Sequence, residues 1–140
     1  MSGGSTMSTV PSPGANPLTV AAVRCHLHRA PLLRPFVTAA RRTDSVEYVV
    51  AEVELADGTI GQGSAAETVA VTGESARTIE DALHGPLRAA VEGVTDSVIG
   101  LSDRVGAALD GATSAKAALE VALHDAWARA ADRPLVELLG

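Results

Sequence analysis

At 140 residues the chain has the length of one domain, and 46% hydrophobic content is enough to build a core. A formal charge of -6 speaks against nucleic acid or an anionic membrane as partner, since both call for basic patches. Phe36, Tyr48 and Trp127 are the only aromatics, which leaves no base-stacking platform, and a core of Ala, Val and Leu must bring its elements close together.

Residues 1–17, "MSGGSTMSTVPSPGANP", have little to bury and read as a disordered leader. They lack the basic and apolar regions of a signal peptide. No apolar stretch reaches the ~20 residues of a membrane span, so a cytoplasmic location is expected. Cys25 is the single cysteine and excludes an intrachain disulfide.

From Leu18 the pattern becomes regular. Val23, Cys25 and Leu27 alternate with Arg24, His26 and His28, the period of a strand with one buried face. "APLLRPFVTAARRTDS" has two prolines and no sustained period, and reads as a long loop. A second strand follows, with Val49, Ala51, Val53 and Leu55 opposed to Glu52 and Glu54. Around Val46, Tyr48 and Val50 both faces are apolar, so that end is expected to be covered. Asp57-Gly58 predicts a two-residue type I′ turn, with Thr59 to Gly63 as the returning strand.

Helical periodicity takes over at "ESARTIEDALHGPLRAAVEG", where Ile79, Leu83, Leu87 and Val91 recur every four residues. Pro86 predicts a kink and Gly93 a C-terminal stop. A short helix is expected around Leu101, Val105 and Leu109. The next starts at Ser114 as cap, with Leu119, Leu123, Ala126 and Ala130 on one side and an Asp125–Arg129 pair on the other. Pro134 suits the first turn of another helix. The predicted class is α+β: a three-stranded antiparallel meander, then a helical bundle.

Candidate chemistry is sparse. His26 and His28 share a strand face but have no identifiable third metal ligand, so solvated histidines are the plainer reading. Cys25 and His26 point to opposite faces, which makes Cys25 a core residue. "GQGSAAE" has G-x-G spacing without a third glycine, a weak phosphate-loop signal. Arg41 and Arg42 lie in the long loop, where a guanidinium can clamp a carboxylate or be merely solvated.

Four stretches in order, "PLLRPFVTAARRT", "DGTIGQG", "TVAVTGES" and "SAKAALEVALHDAWARAADRPLVELLG", resemble the N-terminal portion of the enolase superfamily. Within its muconate-lactonising subgroup they are most similar to the L-Ala-D/L-Glu dipeptide epimerases. The resemblance implies an N-terminal capping domain over residues 18–133, with 134–140 leading towards a TIM barrel that should follow Gly140. N-acylamino acid racemases and muconate cycloisomerases share parts of these motifs, and a non-catalytic binding module with the cap fold is the alternative from another class.

The family reaction moves a proton at the carbon α to a carboxylate, with Mg²⁺ and barrel lysines as its machinery. The resemblance therefore implies no catalytic or metal-binding residue here and no activity of this chain alone. It implies instead a dipeptide or other small carboxylate enclosed together with a barrel domain, and a homo-oligomer for the complete enzyme. Two cap loops, residues 31–45 and 64–75, would close over the substrate. Arg41 matches the residue that receives a substrate carboxylate, and Phe36 and Val71 match apolar contacts. Lys116, on the connecting helix, is not a catalytic match. Where the family reads G-x-G-E-A-P-P or G-x-G-E-A-A-P, this chain has Ser64 for the acidic residue and Glu67 where a proline is expected, which implies a less rigid second loop.

Overall fold

The computed structural model describes residues 17–37, 42–67 and 73–131. Strands β1 (Leu18–Val37), β2 (Arg42–Leu55) and β3 (Ile60–Ala66) form the expected antiparallel meander. A two-residue strand, β4 (Thr95–Asp96), pairs with the start of β1, giving a sheet of order β3-β2-β1-β4. Helices α1 (Ala76–Ala82) and α2 (Arg88–Val91) are joined by a π turn over Leu83–Leu87. Helices α3 (Val98–Ala107) and α4 (Thr113–Ala130) complete the described chain.

The segment read as a long loop is instead the distal part of a long hairpin. Pro31 pairs with Ser45, Phe36 with Thr43 and Val37 with Arg42, with a register irregularity between Pro31 and Phe36. Of the prolines that argued against a strand, Pro35 falls inside that irregularity, where the ladder is interrupted, and Pro31 stands at its edge. A second register shift between Val20 and Ala22 lets both Val20 and Val23 turn inward. The amide of Val23 donates to the Glu92 carboxylate at 2.9 Å.

The β2–β3 connection also departs from the predicted type I′ turn. The Gly58 amide donates to the Leu55 carbonyl and the Leu55 amide to that of Thr59, while Gly58 alone has positive φ, at 92°. This is a type I turn closed by a glycine bulge, which spares Asp57 the left-handed conformation. The Asp57 carboxylate instead accepts from the Thr59 amide at 2.9 Å.

One face of the sheet carries the helices. Val20, Val23, Cys25, Val49, Ala51, Val53 and Leu55 meet Ile79, Leu83, Leu87, Leu101, Leu119 and Leu123 in one apolar cluster. Fully burying a side chain such as Ile79 or Leu119 contributes about 1.5–3 kcal/mol. Leu27, expected in this face, is 46% exposed because the helical layer stops short of it. Ala130 is likewise exposed, whereas Ala126 is buried.

Gly61 and Gly63 explain how so alanine-rich a layer packs. A β-carbon on either would collide with the backbone of α4, at Ala122 and Ala126 for Gly61 and at Ala118 and Ala122 for Gly63. The glycines of "GQGS" thus let a helix approach the sheet rather than cradle a phosphate. On the free edge of β3, the Gln62 amide donates to Asp125, which also pairs with Arg129 at 3.0 Å. The helix therefore covers a strand edge as well as a sheet face.

Ser75 and Thr78 form a reciprocal capping box at α1. Pro86 lies inside the π turn beside Gly85, whose φ and ψ of -98° and -105° make the expected kink. The start of α4 differs from expectation: Ser114 is not its cap. Ala112 holds that position in a left-handed conformation, and the Glu74 carboxylate accepts from the Ser114 amide at 3.0 and 3.1 Å.

Candidate functional site

Three strand ends define the region where the two cap loops were expected. Because β2 is antiparallel to both neighbours, the C-terminal ends of β1 and β3 lie beside its N-terminal half. Val37 pairs with Arg42 at the tip, and Ala66 pairs with Tyr48 six positions further along β2. At ~3.3 Å per residue the chain leaves β1 and β3 at the same end of the sheet, about 20 Å apart in height.

Phe36 stands near the tip, opposite Thr43 in the β1–β2 register. Arg41 and Val71 lie outside the described residues. Residues 64–66, assigned from sequence to the second loop, belong to β3. Glu67 continues the ladder by one more bond, its amide donating to the Glu47 carbonyl at 3.1 Å. A proline there would have no donor to offer for this bond.

Below the tip, on the face away from the helices, the His28 ring stacks on Tyr48 with centroids 5.2 Å apart. His26 meets His28 edge-on at 6.4 Å. Both rings are exposed, and no third ligand stands beside the pair among the described residues. On the helix side at the same level, Arg29 pairs with Glu47 at 2.9 Å beside exposed Leu27. Further down, Arg24 bridges Glu52 at 2.8 Å and Glu54 at 2.7 Å. Glu52 and Glu54 thus belong to a cross-strand ion-pair ladder, and hydrogen bonding from Arg24 holds the Glu52 carboxyl below its ordinary range.

Cys25 is a buried core residue, as its strand parity required. What the sequence reading missed is its neighbourhood: Cys25, Glu80 and His84 form the one three-donor cluster among the described residues. The i,i+4 spacing of Glu80 and His84 was visible, but the third member is 55 positions away from Glu80. Lys116 is tied to the end of the preceding helix. Its ammonium donates to the carbonyls of Gly106 and Leu109, closing the C-terminal end of α3.

The resemblance implies magnesium for the complete enzyme, and the described residues do not fit it. Mg²⁺ takes near-octahedral oxygen coordination, whereas the one cluster present offers a thiol, an imidazole and a single carboxylate.

Residues 20–140 match the family model "Mandelate racemase / muconate lactonizing enzyme, N-terminal domain". The L-Ala-D/L-Glu epimerase of Bacillus subtilis is 38% identical over 113 residues, covering 79% of this chain and 30% of the relative. The L-Lys-D/L-Arg epimerase of Methylococcus capsulatus is 32% identical over 124 residues, covering 88% of this chain and 35% of the relative. A substrate-liganded structure of the Bacillus subtilis enzyme superposes with a TM-score of 0.78 at 34% identity, over 87% of this chain and 34% of that one. The Methylococcus capsulatus dipeptide epimerase, complexed with Mg and L-Arg-D-Lys, gives 0.76 at 31% identity over 87% and 35%. The chain therefore spans about a third of the length of these relatives. No helix among the described residues is long and apolar enough to cross a membrane.

Proposed function

We propose, because this chain belongs to the mandelate racemase/muconate lactonizing enzyme family as an N-terminal domain, that residues 18–133 act as the substrate-enclosing cap of a dipeptide-epimerase-type isomerase. The observation that supports this reading is the sheet end itself: the chain leaves β1 and β3 on the same side, so two loops can close over one substrate. In this role Arg41 receives the substrate's terminal acidic group through a charge-assisted, bidentate contact. Phe36 and Val71 form apolar walls.

The cap orients the dipeptide and excludes water. The proton at the carbon α to the carboxylate is moved by groups outside these residues, since a base within hydrogen-bond reach and a positive centre are both required. Neither is supplied by Lys116, which is tied to α3, nor by the exposed His26 and His28.

A chimera tests this: the cap of the Bacillus subtilis epimerase is replaced by residues 18–133, and deuterium exchange at the α-carbon of Ala-Glu is followed by NMR in D₂O. Exchange is expected from the chimera and not from the 140-residue chain alone. Arg41→Ala in the chimera should cost about 1.5–3 kcal/mol for dipeptides ending in an acidic residue and less for neutral ones. A folded chimera without exchange on any dipeptide, or exchange by the isolated chain above the protein-free control, overturns the proposal.

A further inference from the structure

Where β1 meets the π turn, three metal-ligating side chains converge from two elements. Cys25 points from the helix-facing side of β1 into the core, and its thiol donates weakly to the Glu80 carbonyl at 3.9 Å. Glu80 lies in the last turn of α1, and His84 lies four residues later, just before the kink at Gly85. One ligand atom from each, the Cys25 Sγ, a Glu80 carboxylate oxygen and a His84 ring nitrogen, all lie within 4.8 Å of one another. Neither the Glu80 carboxylate nor the His84 ring has a hydrogen bond or ion pair among the described residues.

We propose that Cys25, Glu80 and His84 bind one divalent ion of the zinc class, with a fourth position open to water. The donor set selects the ion: thiolate, imidazole and carboxylate together suit a borderline-soft tetrahedral cation and not magnesium or calcium. Metal–ligand bonds of about 2.0–2.3 Å put tetrahedral ligands ~3.5 Å apart, so the donors need to close by roughly 1 Å. The mobility for that lies at the rim, since Glu80 is half-buried and His84 exposed, while Cys25 is held by the core. The same gradient gives the ion a path in from solvent.

Glu80 and His84 stand four residues apart where α1 runs into the kink at Gly85, a spacing that puts both side chains on one helix face. Binding replaces the Cys25 thiol proton by the metal and releases that proton to solvent, with no change in oxidation state. The site would tie β1 to the helical layer at its kink. It is separate from the proposed substrate-facing loops and does not depend on that reading.

Cobalt(II) titration of the purified chain tests the site. Cys25 is the only cysteine, so a sulfur-to-cobalt charge-transfer band can come from nowhere else. The expected result is that band, with tetrahedral visible bands, saturating at one equivalent and displaced by zinc. Cys25→Ser should abolish it. His84→Ala, at an exposed position, should weaken binding at least ~10-fold, and Glu80→Gln should weaken it too. A His26→Ala/His28→Ala double variant should bind as the parent does. Zinc should raise the Tm of the parent chain and not of Cys25→Ser. Absence of the band at millimolar cobalt, a band unchanged in both His84→Ala and Glu80→Gln, or loss of binding in the His26/His28 variant overturns the proposal.

Discussion

Gly61 of β3 lies so close to Ala122 of α4 that a β-carbon would fall inside contact distance of the Ala122 carbonyl oxygen and the Ala126 amide. The obstacles are backbone atoms, which cannot rotate away as a side chain would. Gly61→Ala should therefore destabilise by about 1–3 kcal/mol or more, and Gly63→Ala by a similar amount. Gly106 is the control: it lies in α3, exposed, with open space where a β-carbon would go. Gly106→Ala should stabilise by about 0.5–1 kcal/mol. Urea unfolding checks both signs, and a neutral Gly61→Ala would mean that the helix does not approach this closely.

The Glu74 carboxylate stands in for the missing cap residue of α4. Both its oxygens accept from the Ser114 amide, and its charge faces the positive end of the helix dipole. Glu74→Ala should lose about 0.5–2 kcal/mol. Thermal unfolding checks this, and an unchanged Tm in Glu74→Ala would remove Glu74 as the cap.

Two carboxylates make the fold sensitive to acid. Glu92 is held below the ordinary glutamate range, first by the Val23 amide and then by Arg88. Glu52 is held down chiefly by Arg24. A depressed folded value means that their stabilisation is fully present above the unfolded value of 4.5 and is lost as pH falls through the folded value. Glu92→Gln should cost under about 1 kcal/mol near neutrality, because the side chain is solvent-screened. The gap to the parent should close as the pH drops below the glutamate range. Parallel stability curves in urea titrations down the acid limb would remove Glu92 from this account.

At the alkaline end the sign reverses. Burial, with a smaller part from the Glu80 charge, pushes the Cys25 thiol up to about 11 from 9.0. Its contribution is intact below the unfolded value and is lost as pH rises from there through the folded one. Native chain at about pH 8 should alkylate with iodoacetamide much more slowly than chain unfolded in urea, because both thiolate fraction and access are reduced. Equal rates would contradict the burial.

Some of this protein was legible without coordinates. Two-residue alternation located β1 and β2, four-residue recurrence located the helices, and Pro86 marked its kink, because these signals are local and each is imposed by the repeat of one element. Motif order disclosed the family, since those stretches are set by how its cap is built. What tertiary structure alone decided involves residues far apart in the chain. The distal hairpin forms despite its prolines because Arg42 to Ser45 return to pair with it. Leu27 is exposed because the helical layer stops short of it. The cap of α4 comes from Glu74, 40 positions before Ser114. The "GQG" glycines answer to a helix 55 or more residues later, and Cys25 meets Glu80 and His84 only after sheet and kink have formed. Local periodicity specifies an element and its inward face; which partner fills that face depends on packing, and packing is not written in any single stretch.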